Sequence, residues 1–292
     1  MSDVRTVGLV VHFGRPAAVA AAAATAATLH AVGVAVHVAD TDVAEGEAPP
    51  DWPGVRLVEH AGFADGLDVA LSFGGDGTFL RAAHRCRDAG VPVLGVNLGR
   101  VGFLAEVEVG DLDAALDRLL AGTWRVEERM TIEAVVEDPE GNELAREWAL
   151  NDVSVEKTAR QRVLLMELHV GDQPFAEIPA DALVLATPTG STAYALSAGG
   201  PILSPRVAAT LVTPVAPHSL FDRTLVVAPD EVVRVHVLPD QAPAVLSVDG
   251  RDPVHVPAGG AVLATGGAQP VRLVRLDPPD FYQLVRRKFS LR

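Results

Sequence analysis

Three stretches of the chain carry residue types whose spacing suits chemistry on a polar ligand. In Gly74-Gly75-Asp76-Gly77-Thr78 an acid sits among glycines. Glycines let a ligand approach the backbone closely, and the first N–H groups of a following helix are a natural place for phosphate. A carboxylate in the same turn repels phosphate unless a metal ion or a reacting hydroxyl lies between them. Asp76 therefore reads as a general base or a Mg2+ partner, and the plain alternative is that it caps the helix. Asn151-Asp152 places an amide beside a carboxylate, a pair that can read hydroxyls or an adenine edge, or simply close a local turn. The run Thr187-Pro188-Thr189-Gly190-Ser191-Thr192-Ala193-Tyr194, followed by Ser197-Ala198-Gly199-Gly200-Pro201, is dense in hydroxyls and glycines. That density points to a polar ligand rather than to a packing device.

The elements that must position these residues follow from periodicity. Residues 69–73 are an apolar run of strand length, and from Thr78 the spacing becomes helical, with Phe79, Ala82, Ala83 and Cys86 on one side. Gly90-Val91-Pro92 stops that helix, and 93–96 reads as the next buried strand. A strand-turn-helix-strand unit builds a parallel sheet and leaves its turn at the carboxyl edge, where ligands bind. Upstream, 4–13 reads as a strand, 17–32 as an alanine-rich helix started by Pro16 and closed by Gly33, and 34–38 as a second strand. Residues 41–66, acidic and rich in Pro and Gly, read as a surface loop with short elements. The glycine-rich turn 97–104 offers a second lip to a ligand crevice, or a plain loop. Residues 111–121 predict an amphipathic helix with Leu112, Leu116, Leu119 and Leu120 inward.

Near residue 128 the pattern changes to short alternating segments separated by turns: 131–136, 148–155, 163–170, 183–186, 225–228, 232–238, 245–248 and 271–276. That is the signature of an all-β domain. Residues 281–289 return to helical spacing. The expected division is an α/β domain over 1–128, a β domain over 129–276 and a terminal segment, 277–292, packed back on the body.

Composition sets the outer limits. A chain of 292 residues that is 49% apolar is long and apolar enough for well-buried cores. A formal charge of −14 argues against nucleic acid or anionic membrane as a partner, since both need clustered Lys and Arg. The one cysteine, Cys86, excludes an internal disulfide and reads as core. The nine histidines are scattered, with no HExxH, so a structural metal is not expected. The apolar stretch 4–38 is broken by Arg5, His12 and Gly14-Arg15-Pro16, so it reads as no signal or membrane segment, and the expected location is cytoplasmic.

Taken together, the motifs resemble one family. GGDGTFL at 74–80, NLGRVGFLAE at 97–106, ND at 151–152 and DALVLATPTGSTAYALSAGGPIL at 181–203 look like those of the NAD kinases, in order and over essentially the whole chain. SVDG at 247–250 and FYQLVRRKF at 281–289 add to the match. The resemblance implies an N-terminal Rossmann-like α/β domain and a C-terminal β-sandwich-like domain, with the active site between them. It implies phosphoryl transfer from ATP, or polyphosphate, with a divalent metal such as Mg2+, to the 2′-hydroxyl of the adenosine ribose of NAD. By the same resemblance Asp76 matches the proton acceptor, Gly75 and Gly77 lie at substrate phosphates, Arg81 neutralises phosphate charge and Phe103 lies against adenine. Asn151 and Asp152 match the pair that holds the adenosine and ribose, and Asp181 an acid near the nicotinamide half. Thr192, Ala193, Tyr194, Ala195, Leu196 and Ser197 match the segment lining the dinucleotide, and Arg162 falls at a variable contact position. Two departures stand out. Asp152 occupies a place where the family often has glutamate, and Arg100 lies where it often has histidine in the loop at the donor phosphates. A homodimer or homotetramer is the implied assembly. A lipid kinase of the diacylglycerol type and a catalytically silent dinucleotide-binding regulator are the competing readings.

Overall fold

The computed structural model describes residues 4–40, 52–99, 102–159, 161–278 and 280–291. The chain forms two compact units, one of Met1–Glu128 with Val271–Arg292 and one of Arg129–Pro270. The first begins with β1 (Thr6–Val11), α1 (Pro16–Ala31), β2 (Ala35–Ala39), β3 (Val55–Val58), β4 (Val69–Gly74) and α2 (Asp76–Cys86). It continues with β5 (Val93–Asn97), β6 (Val107–Glu108), α3 (Leu112–Leu120) and β7 (Arg125–Arg129). The second unit holds β8 (Ile132–Glu137), β9 (Glu143–Ala149), β10 (Asp152–Lys157), β11 (Leu164–Val170), β12 (Gln173–Ala180) and β13 (Ala182–Ala186). After the short helix α4 (Tyr194–Ser197) come β14 (Thr210–Val215), β15 (Leu225–Val227), β16 (Val233–Val237), β17 (Ala244–Val248), β18 (Val254–Val256) and β19 (Ala261–Gly266). β20 (Val271–Arg275) and α5 (Phe281–Lys288) return to the first unit.

The sheet of the first unit runs β3-β2-β1-β4-β5-β20-β7, with β6 also on β5. The pairs β3/β2, β2/β1, β1/β4, β4/β5 and β5/β20 are all parallel. After β3 the chain crosses back to lay β4 on the other side of β1. The carboxyl ends of β1 and β4 therefore flank the topological switch point, where sheets of this kind bind ligands. Alanines Ala18, Ala22 and Ala26 let α1 lie close to Val7, Leu9, Val36 and Leu71, and Leu112, Leu116 and Leu119 of α3 join the same core. On the opposite face Phe79 of α2 packs where β5 has Gly95, whose added Cβ would stand 3.0 Å from that ring and 2.8 Å from the Ala105 Cα.

The second unit is a sandwich of two antiparallel sheets, β15-β14-β13-β10-β17-β18 and β12-β11-β16-β19-β8-β9. Alternate residues of every strand, among them Val153, Val155, Leu183, Leu185, Val233 and Val235, meet in one apolar interior. That interior assigns the other half of β10, namely Asp152, Ser154 and Glu156, to the outer face, opposite Ala186, Val184 and Ala182 of β13.

Several expectations change here. Residues 271–276 belong to the parallel sheet and not to the β domain: Leu273 pairs with Val93 of β5. The alternation in 271–276 names a strand but not its sheet; Arg275 does, because its guanidinium ion-pairs with both Glu106 and Glu127 of the first unit. The expected strand 148–155 is two strands, β9 and β10, separated at Leu150-Asn151. β12 gives no strand pattern in the sequence because it contains Pro174 and Pro179, which an edge strand tolerates. The helix expected at 111–121 also buries Ala115, and Leu120 is partly buried against the same core. Of the segment 41–66, residues 41–51 lie outside the described residues, and the rest holds β3 and a single 3-10 turn, His60–Gly62.

The Arg275 triad yields a first prediction. Arg275→Ala removes the buried guanidinium that Glu106 and Glu127 share and should cost about 3 kcal/mol of stability. A urea-unfolding midpoint equal to that of the parent chain would show that the triad holds nothing in place.

Candidate active site

In the first unit the chemistry gathers at the switch point. Gly75 is the N-cap of α2, so no side chain caps the helix, and Asp76 is its first residue. The carboxylate turns instead to the loop after β5: Oδ2 accepts from the Phe103 N–H at 2.9 Å and Oδ1 from the Leu104 N–H at 3.2 Å. Each oxygen keeps a further lone pair for another donor. Gly102 makes the approach possible, because a Cβ there would collide with the Asp76 carboxylate. Gly75 and Gly77 differ, since a Cβ on either meets nothing within 4 Å and Gly75 has an extended backbone, φ −115°. Packing and positive φ thus leave these two glycines unexplained; open backbone for a ligand accounts for them.

Two further residues frame this turn. The Arg81 Nη2 donates to the Val11 carbonyl at the end of β1, 2.8 Å away, which fixes the guanidinium at the carboxyl edge of the sheet. The Phe103 ring lies 6.4 Å from Phe281 of α5, and the Lys288 ammonium stands 5.0 Å from its centroid. That contact from the last helix was not foreseen, because no local pattern links 281–288 to residue 103. Arg100 lies outside the described residues.

The second unit assembles a separate polar group on the outer face of β10. Asp152 opens the strand and is only 8% exposed. Burial, and next the neighbouring Asp249 carboxylate, push its pKa up to about 7; the Tyr194 backbone N–H opposes this and Glu156 adds to it. The Tyr194 hydroxyl is also raised, first by burial and then by the charges of Glu156, Asp152 and Asp181. Asp181 forms an ion pair with Lys157. Asp152, Glu156 and Asp181 thus all lie near Tyr194, with Asp249 beside Asp152 and Lys157 on Asp181. Glu156 was legible in principle, lying four residues along the strand from Asp152 and so on the same face.

The hydroxyl-rich run turns out to be held largely by itself. Thr187 Oγ1 donates to the Leu150 carbonyl at 2.5 Å and accepts from the Gly190 N–H at 3.1 Å. Ser191 Oγ donates to the Pro188 carbonyl at 2.7 Å, Thr192 Oγ1 to the Thr189 carbonyl at 3.2 Å, and buried Arg129 donates to Thr189 Oγ1. Gly190 is required because a Cβ would strike the Asn151 carbonyl. The run therefore also has a structural part to play: it seats 187–192 on the Leu150-Asn151 turn. What it presents beyond itself is α4, where Ala195 is buried with Val184, Ala186 and Leu211 while Tyr194 and Ser197 face outward. Ala193 and Leu196 are half-buried, and Arg162 lies exposed in the turn before β11.

Comparison with known proteins now decides the family. Residues 7–124 match the ATP-NAD kinase N-terminal domain and 150–276 the ATP-NAD kinase C-terminal domain. The chain belongs to the NAD kinase family. Among its curated relatives, NAD kinase 2 of Streptomyces coelicolor is 44% identical over 290 residues, 99% of this chain and 95% of that protein. The NAD kinase of Corynebacterium diphtheriae is 44% identical over 292 residues, covering 98% of this chain and 91% of that one. Two solved structures share the fold. A yeast NADH kinase complexed with NADH has a TM-score of 0.88 at 24% identity, over 99% of this chain and 88% of that one. An Archaeoglobus fulgidus NAD kinase in complex with ATP has a TM-score of 0.72 at 21% identity, over 98% of both chains. Full-length similarity to NAD kinases disfavours the lipid-kinase and silent-regulator readings.

The raised pKa of Asp152 makes stability depend on pH with a defined sign. Between about pH 4 and about pH 7 the folded chain keeps a proton on Asp152 that the unfolded chain releases, so stability from this group falls as pH rises through that window. Asp152→Asn should therefore be more stable than the parent at pH 8, by on the order of 2 kcal/mol, with the difference closing near pH 4. Denaturant midpoints that move in parallel at both pH values would refute the assignment.

Proposed function

We propose that the chain transfers the terminal phosphoryl group of ATP to the 2′-hydroxyl of the adenosine ribose of NAD, giving NADP and ADP. Membership of the NAD kinase family makes it an enzyme that phosphorylates NAD. The observation that carries the residue assignment is Asp76, a carboxylate held by two backbone amides at the switch point between two glycines whose faces are open.

In this reading the ribose hydroxyl gives its proton to Asp76 as its oxygen attacks the terminal phosphorus of the donor. The new O–P bond forms as the P–O bond to the leaving ADP breaks, roughly in line. A positioned carboxylate base is typically worth about 10²- to 10⁴-fold. The backbone at Gly75 and Gly77 receives phosphate, and Arg81, fixed on the end of β1, supplies positive charge at the same edge. Asn151 and Asp152 take the adenosine, Phe103 offers an aromatic face, Asp181 serves the nicotinamide half, and 192–197 with Tyr194 outward lines the dinucleotide. Arg162 is kept as a peripheral contact.

Among the described residues no three His, Cys, Asp or Glu side chains gather to hold an ion. Mg2+ usually keeps several waters and binds through substrate phosphates, a mode that asks for no larger protein cage and would bring the ion in on the phosphoryl donor. Bound there, the ion supplies neutralisation of the donor phosphates. The family likeness also supports a homodimer or homotetramer, a cytoplasmic location, and no nucleic acid or membrane as partner; no described helix is long and apolar enough to cross a membrane.

Purified protein incubated with NAD, ATP and Mg2+ should form NADP, read with an NADP-specific dehydrogenase, and parallel reactions with polyphosphate or NADH define donor and acceptor range. Absence of NADP with every donor, despite measurable NAD binding, would overturn the reading.

A further inference from the structure

Asp249 sits in the turn after β17, beside Asp152. Its geometry is unusual on two counts. It is one of three non-glycine residues with positive φ among the described residues, at +48°, a conformation that aspartate and asparagine tolerate better than most. Its carboxylate also receives three consecutive backbone amides: Oδ2 from Leu150 at 2.8 Å, and Oδ1 from Asn151 at 2.8 Å and from Asp152 at 3.2 Å. Its own N–H donates back to the Asp152 carbonyl at 3.1 Å. These amides lie where β9 has ended and β10 begins, so one side chain closes a turn that strand pairing alone leaves open.

The same turn is clasped from its other side by Thr187, whose N–H bonds the Asn151 carbonyl and whose hydroxyl bonds the Leu150 carbonyl. Thr187 thus holds carbonyls and Asp249 holds amides. The side chains of Asn151 and Asp152 are left at one backbone geometry.

We propose that Asp249 is a positioning residue for the acceptor dinucleotide: it fixes the Asn151-Asp152 turn in its NAD-receiving form, and its negative charge governs when Asp152 can accept a hydrogen bond. The proposal rests on the NAD-binding role given to that pair above. The groups facing Asp152 are Asp249 across the turn, Glu156 along β10, the Tyr194 N–H from α4, and apolar Ala186 from β13. Asp181 is the next acid outward, beside Tyr194 and bonded to Lys157. With its pKa near 7, Asp152 carries a proton below neutral pH and then loses acceptor capacity toward ribose hydroxyls or an adenine amine. NAD affinity should therefore weaken as pH falls through 7.

Calorimetric titration of NAD into the full chain at pH 6 to 8.5, together with KM and kcat, tests this. Asp249→Asn keeps the tolerance for positive φ and one carbonyl acceptor but removes the charge. It should move the pH at which NAD affinity is half lost downward by about one unit, with kcat at saturating NAD changed less than about threefold. Asp249→Ala should raise the Kd and KM for NAD by about tenfold at pH 8, the loss expected for roughly 1.4 kcal/mol of positioning. An unshifted pH midpoint in Asp249→Asn, or loss of kcat without change in NAD affinity, would overturn the proposal. Should Asp249→Ala fail to fold by circular dichroism, Asp249→Asn alone decides. Because calorimetry reads NAD binding without turnover, failure of the kinase reading shows separately, as absence of NADP from the parent chain.

Discussion

The bond between the Asp76 carboxylate and the Phe103 and Leu104 amides is the constraint on which the first unit's site depends. A parallel sheet delivers Asp76 to its carboxyl edge, but the loop after β5 decides where the carboxylate points. Gly102 lets that loop approach, and the loop in turn carries Phe103 to the ring of Phe281 and the ammonium of Lys288. Asp76, the Phe103 ring and the terminal helix are thereby tied to each other through a single loop. Capping α2 would have used the same carboxylate for local stability; here Gly75 caps, and the acid keeps lone pairs for chemistry.

The second unit solves a different problem. Its interior takes one face of every strand, so polar residues of β10 must stand on the outer face, where 187–197 folds over them. Burial of Asp152 next to Asp249 and Glu156 is electrostatically costly, as its raised pKa records. A fold selected for stability alone would not gather acids at a half-covered strand end. Their retention fits a site that meets the hydroxyl and amine donors of a nucleoside, groups that carboxylates accept from and that water otherwise satisfies.

Much of this was readable in the chain. The strand-turn-helix-strand around Asp76, the alanine-rich α1 and the shift to an all-β pattern near residue 128 follow from local periodicity, and local periodicity is what the sequence states most directly. What escaped was non-local. The strand 271–275 alternates like its neighbours, and only the pairing of Arg275 with Glu106 and Glu127 fixes it to the parallel sheet. The hydroxyls of Thr187, Ser191 and Thr192 look like ligand groups in one dimension, yet each finds a backbone carbonyl close by in space. Asp249 gave no signal beyond its motif, because its partners are nearly a hundred residues away. Its φ of +48° cannot be read from the letter Asp.

The proposed reaction requires Asp76 to act as a base rather than as a strut for the loop. Replacement by asparagine keeps shape and one carbonyl oxygen for an amide donor while removing the proton acceptor. The direct measurement is kcat for NADP formation by Asp76→Asn beside its NAD dissociation constant from calorimetry. A fall of about 10²- to 10⁴-fold in kcat with NAD affinity within a few-fold of the parent is the predicted result. Turnover close to that of the parent chain, or loss of NAD binding in step with activity, would contradict it and leave Asp76 a structural residue.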